Sequence, residues 1–128
     1  RMTYGNWVDN YGIICDSEVE FDEATHLSRD YRKHRFRTTH LNTFKAKLFF
    51  KLTEDDFKVN GEWIKCTTES PIMFAALEMS GKERQGIIKE PIYNYTMRGR
   101  QNARRSTGEG VQEKIYAEII SRPKFDLI

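Results

Sequence analysis

Between Ile72 and Met79 the chain is apolar at every position except Glu78. A stripe on one face would mark a surface helix, whereas apolar residues all round mark one packed on several sides. Pro71 suits a first helical position, where its missing N–H is no loss, and Ser70 before it is placed to cap. Ser80 and Gly81 supply the stop, glycine entering the left-handed region at least cost. The pattern predicts a short buried central helix. Glu69 falls just outside its start, at the positive end of the helix dipole, where a carboxylate is favoured. On its own, Glu69 reads as a helix-entrance acid or as a base.

The rest of the chain alternates between strand and helix signals. Tyr4, Trp7, Val8 and Tyr11 around Gly5, Asn10 and Gly12 suggest two short strands joined by a tight turn. Residues 16–37 are polar, acidic first and then basic, and read as a solvated excursion over the surface; Ala24 to His34 could form a polar helix within it. From Phe36 a Thr- and Phe-rich stretch has strand character, and Phe44, Leu48, Phe49 and Leu52 then space like a helix face. Thr53 to Asp56 has the form of a capping box, and Asn60-Gly61 is a turn signal, after which Trp63 and Ile64 re-enter the core. Residues 86–88 and 91–95 form one strand interrupted at Pro91, which places it at an edge or a strand start. A final helix from about Glu109 to Ser121 buries Val111, Ile115 and Ile119 beside Tyr116 and Ile120, and Pro123 stops it.

With 128 residues, of which 38% are hydrophobic and 31% charged, the chain has room for one domain spanning 1–128 with a real core. No run approaches a membrane span and no leader-like signal opens the chain, so a cytoplasmic protein without a membrane partner is expected. Cys15 and Cys66 read as two free thiols, with a single disulfide as the lesser reading. His26, His34 and His40 lack the spacing of a zinc helix. The net charge is only +2, so anion binding must come from local clustering. That clustering occurs at 97–110, where Arg98, Arg100, Gln101, Arg104 and Arg105 stand among glycines. Arginine forks and glycine backbone N–H groups both suit phosphate oxygens. A solvated basic loop is the other reading.

The segment Pro71 to Gly81, followed by Lys82 to Arg84 and by Ile87 to Tyr95, resembles the C-terminal half of family-2-like glycosyltransferases of the GT-A fold. The variants of phages and large viruses are the most similar. Met2 to Gly5 resembles the strand that follows the metal-binding Asp-x-Asp segment of that family; Asp16 and Glu18 fall after it and are not that segment. The resemblance implies an α/β fold, a partial GT-A-like unit with a short mixed sheet, a buried central helix and a C-terminal helix. The nucleotide-binding half would be absent from this chain. Glu69 takes the place of the family's general base, one methylene longer than the usual Asp. His40, in a segment similar to one lining the acceptor side, would contact the acceptor with Tyr93 and Tyr95; a structural hydrogen bond is the other reading of His40.

The same resemblance makes Arg98, Arg100, Gln101, Arg104 and Arg105 the diphosphate-binding set. It implies a divalent metal, Mn or Mg, whose ligands are not in this chain. The partners would be a nucleotide-sugar donor, a hydroxyl acceptor and the missing N-terminal half. The reaction would be an inverting displacement, this fragment alone being inactive. Two alternatives are a non-enzymatic module that binds nucleic acid or another polyanion through 97–110, and a structural remnant of a transferase.

Overall fold

A computed structural model describes residues 1–15, 20–96, 108 and 110–128. The chain is α/β, with a small mixed sheet and, among the described residues, four α-helices. Strand β1 (Met2–Asp9) is central. It pairs antiparallel with β2 (Thr39–Phe44) on one side and parallel with the last strand, Gln85–Tyr95, on the other. Between them, β3 (Lys58–Val59) and β4 (Glu62–Trp63) make a hairpin, so the last strand is β5. Asn60 and Gly61 both take positive φ at its tip, 52° and 80°, as an Asn-Gly turn requires. Gly5 has another purpose. A Cβ there would stand 3.3 Å from the Ile88 carbonyl oxygen and 3.4 Å from that of His40, so its absence lets β2 and β5 close on β1.

Beyond β1 the chain turns tightly, the Asp9 carboxylate accepting from the Tyr11 and Ile13 amides, and only Ile14 bridges back to Val8. Strand β5 is an edge strand, and its pairing with β1 shifts register around Pro91, where the proline withholds a donor. The capping box forms, with the Asp56 carboxylate accepting from the Thr53 amide at the start of a 3₁₀ turn, Glu54–Phe57. The short helix α1 is Glu23–Ser28, α2 is Ala46–Phe49, α3 is Glu69–Ser80 and α4 is Val111–Ser121.

Helix α3 is the buried central helix, with every residue from Ser70 to Ser80 buried except Ile72. Met73, Phe74, Leu77 and Met79 join Met2 and Tyr4 of β1, Tyr31, Leu48 and Ile119 in one core. Its start differs from the pattern. Helix begins at Glu69, Thr68 precedes it without a side-chain cap, and Ser70 is buried inside the first turn. Glu69 is therefore the first helical residue and not an outside acid. Gly81, at φ 62°, ends the helix as expected, its amide donating to the Leu77 carbonyl.

Residues 20–37 are not a solvated excursion. Phe21, Thr25, Tyr31 and Arg32 are buried, and the expected helix from Ala24 to His34 is instead α1 followed by a 3₁₀ turn at Tyr31–Lys33. The reason is Glu78. It is fully buried in α3, and the Arg32 guanidinium meets it with two bonds, Nε to Oε1 at 2.6 Å and Nη2 to Oε2 at 2.9 Å. Arg32 Nη1 donates to the Ile119 carbonyl at 2.7 Å, and the Phe125 amide donates to Glu78 Oε2 at 3.0 Å. A buried carboxylate is tolerable only when paired and hydrogen-bonded in this way.

Trp63 also departs from expectation. It is 56% exposed with the Lys58 ammonium over its ring, and Ile64 alone enters the core. Phe49, expected on the buried side of its helix, is exposed while Leu48 is buried. Helix α4 buries Ile119 fully and packs Ile115, Tyr116 and Ile120 against the core. Cys15 and Cys66 are free thiols. No helix of the described residues is long and apolar enough to cross a membrane.

Removing one member of the Arg32–Glu78 pair should cost about 3–5 kcal/mol, because the other is left charged and buried. Urea unfolding should therefore show a large loss for Arg32→Met and for Glu78→Gln. The double replacement Arg32→Met with Glu78→Leu should recover part of that loss. A double variant as unstable as the sum of the singles would refute the account.

A second prediction concerns His26. Its Nδ1 lies 3.1 Å from the Tyr31 hydroxyl, which already accepts from Gln85 Nε2 at 2.8 Å. With that bond accepted from Gln85, the phenol proton is free to be donated to the neutral His26 ring. Burial, with the Lys82 charge adding to it, holds the His26 pKa below its ordinary 6.5. A lowered folded pKa favours the neutral ring, so its contribution is full above 6.5 and is lost as pH falls from there through the lower folded value. Urea midpoints between neutral and mildly acid pH should fall, and fall less in His26→Gln.

Candidate functional site

Glu69 opens α3 with its side chain exposed, on the wall of a cavity of about 370 Å³ shared with Phe36, Thr67, Ser70, Gln112, Glu113 and Tyr116. Helix α3 supplies one side and the first turns of α4 the other. The entrance is built on strained backbone. Thr67 has φ 53°, which a β-branched residue adopts only under constraint, and its hydroxyl donates to the Cys66 carbonyl at 2.7 Å. The Ser70 amide donates to the Thr67 carbonyl, closing the turn that presents Glu69. Across the cavity the Tyr116 hydroxyl is buried and has no hydrogen-bond partner among the described residues. Burial pushes its pKa up, and polar contact with the Phe36 backbone only partly offsets this.

A second group of side chains gathers where β1 and β5 end. The ring of His40, at the start of β2, lies 4.9 Å from Tyr93 and 5.9 Å from Tyr95, nearly parallel to the latter. Tyr93 and Tyr95 are 6.5 Å apart, and Trp7 of β1 stands 5.0 Å from Tyr95. His40, Tyr93 and Tyr95 were expected to share a site and they do form one cluster. His40 packs there by its ring, with no side-chain hydrogen bond to another of the described residues; the His40–Leu41 peptide is cis. Trp7 completes the cluster and was read from the sequence only as a strand residue. The signal was alternation: Met2 and Tyr4 are buried, so Trp7 belongs to the opposite face.

The two groups are linked through the chain. Phe36, which walls the Glu69 cavity, belongs to the segment that leads into His40. Strand β5 ends at Tyr95, just before 97–107, and α4 starts just after it with Gln112 and Glu113 on the cavity wall. Arg98, Arg100, Gln101, Arg104 and Arg105 themselves lie outside the described residues.

Chemically, the cavity offers an exposed carboxylate on one wall and the buried Tyr116 phenol on the other, and the cluster offers partly exposed aromatic rings. No group of three or more His, Cys, Asp and Glu side chains among the described residues could hold a metal ion. Comparison with protein-family models, with curated proteins and with solved structures finds no match.

If the Thr67 conformation is held by its surroundings, Thr67→Gly should relieve about 1 kcal/mol of strain and raise the urea midpoint. A lower midpoint would mean that the hydroxyl bond to Cys66 outweighs the strain.

Proposed function

We propose that the chain supplies the acceptor and base side of a sugar-transfer site. The observation that carries this reading is the Glu69 cavity: an exposed carboxylate at the entrance of a buried helix, presented by strained backbone and faced by the Tyr116 side chain. Strain kept at such a place is characteristic of functional sites. In the proposed step Glu69 takes the proton of an acceptor hydroxyl. The oxygen attacks the anomeric carbon from the face opposite the donor's diphosphate, and the nucleoside diphosphate leaves with the bonding pair, inverting the centre. His40, Tyr93 and Tyr95, with Trp7, would hold the acceptor by stacking. Arg98, Arg100, Gln101, Arg104 and Arg105 would offset charge on the leaving diphosphate.

In the enzyme that contains this chain, Glu69→Gln should lower turnover by roughly 10²-fold or more and leave the fold intact. Full activity in that variant would remove the assignment. This chain alone should not bind nucleotide-sugars tightly, with or without manganese, in calorimetry. Micromolar binding would show that the donor site lies elsewhere than supposed.

A second reading rests on the aromatic cluster, whose Tyr93 ring is 36% exposed at the end of an edge strand. Such rings also suit the bases of a single-stranded nucleic acid, gripped through the arginines of 97–110. Competition between a nucleoside diphosphate and an oligonucleotide across a salt series separates the two. A transfer site prefers the diphosphate with a shallow salt slope, whereas a nucleic-acid site prefers the strand and weakens by about one counterion per phosphate.

A further inference from the structure

Helix α2 is pinned by one residue and leaves its neighbours outside. Leu48 is buried against the core, and this turns Phe49 and Phe50 outward, 40% and 79% exposed. The two rings meet edge to face at 6.2 Å, and Phe49 also meets Phe57 at 6.1 Å, so they form one apolar ridge. Exposed lysines interleave with it: Lys45, Lys47 and Lys51. The strand register extends the charge. Met2 pairs with Phe44 and with Gln85, so Arg1 lies between Lys45 and Arg84, and the Lys45 amide donates to the Arg1 carbonyl at 3.0 Å. Nearby charge is mixed: Glu54 pairs with Lys58 at 2.8 Å, Asp56 keeps its charge while accepting from Thr53, and Arg84 donates to the Ile128 carbonyl.

We propose that this face docks on an anionic bilayer surface, with Phe50 and Phe49 entering the interface and Lys45, Lys47, Lys51 and Arg1 among the headgroup phosphates. A lone exposed phenylalanine needs no explanation, but a ridge of two interleaved with the exposed Lys45, Lys47 and Lys51 does. The side chains choose the partner. Phenylalanine has no polar atom and gains by leaving water, and lysine is a compact charge on a long stem that suits a diffuse array of phosphates. A nucleic-acid strand would need open ring faces, and Phe49 is taken up by the edges of Phe50 and Phe57. The expectation of no membrane partner rested on the lack of a spanning run, which does not bear on a peripheral contact.

The test is co-sedimentation with vesicles of phosphatidylcholine alone and of phosphatidylcholine mixed with phosphatidylserine. The chain should bind the mixed vesicles, release them as salt rises, and ignore the neutral ones. Phe50→Ser should weaken binding by roughly tenfold. Joint replacement of Lys45, Lys47 and Lys51 by Gln should weaken it by roughly a hundredfold. Both changes lie on exposed positions, so urea midpoints should match the parent and confirm that folding is intact. Three results would each overturn the proposal: no binding to mixed vesicles, equal binding to neutral ones, or binding that Phe50→Ser leaves unchanged. Tighter binding to a single-stranded oligonucleotide, insensitive to Phe50→Ser, would assign the face to nucleic acid instead.

Discussion

The burial of Glu78 constrains everything around it. Its carboxylate holds Arg32 from the turn after α1 and the amide of Phe125 from the C-terminal tail, while Arg32 also holds the Ile119 carbonyl of α4. The cation stands 5.5 Å from the Phe74 ring, one turn back along α3. Segments distant in sequence thus meet at a single charge pair. The tail is tied down a second time, Arg29 donating to the carbonyls of Glu78 and Phe125 at 3.1 and 2.9 Å. Such a pair contributes little net stability against an apolar substitute, because desolvation offsets most of the attraction. What it imposes is uniqueness. An α3 rotated about its axis would leave Glu78 charged and unpaired.

That rotational lock bears on the site. Residues on a helix advance by ~100° each, so Glu69 and Glu78 fall on opposite sides of α3, roughly 13 Å apart along its axis. Fixing Glu78 against Arg32 and the tail fixes Glu69 toward Phe36 and α4. The same helix carries a structural carboxylate at one end and a candidate functional one at the other. Their difference is solvent: Glu78 is closed off on all sides, while Glu69 opens on a cavity.

Features coded by neighbours in sequence were legible in advance. The apolar run of α3, the Asn-Gly hairpin, the Thr53–Asp56 cap and the stop at Gly81 each depend on residues a few positions apart, where propensity and period speak directly. The burial of Arg32 depends on Glu78 far along the chain, and a polar stretch with an acidic start and a basic end looks the same whether or not one arginine turns inward. Trp63 misled for a related reason: a two-residue strand in a hairpin has one face to solvent, and hydropathy does not say which. At the candidate site, resemblance singled out Glu69, His40, Tyr93 and Tyr95. Neither it nor composition pointed to Trp7 or Thr67, whose importance lies in register and backbone angle.

The sheet gives the molecule a polarity that relates its surfaces. Arg1, Lys45 and Arg84 stand where β1 and β5 begin, and Trp7, Tyr93 and Tyr95 stand where these parallel strands end. At about 3.3 Å per residue, the eight residues of β1 set the two ends roughly 25 Å apart. Ligands of parallel strands gather outside their carboxyl ends, which is the aromatic end here. The Phe49–Phe50 ridge follows directly on Lys45, at the basic end, so the aromatic cluster and the ridge belong to opposite ends of the sheet. The basic end and the aromatic end are thus separate surfaces, and the length of one strand sets the distance between them.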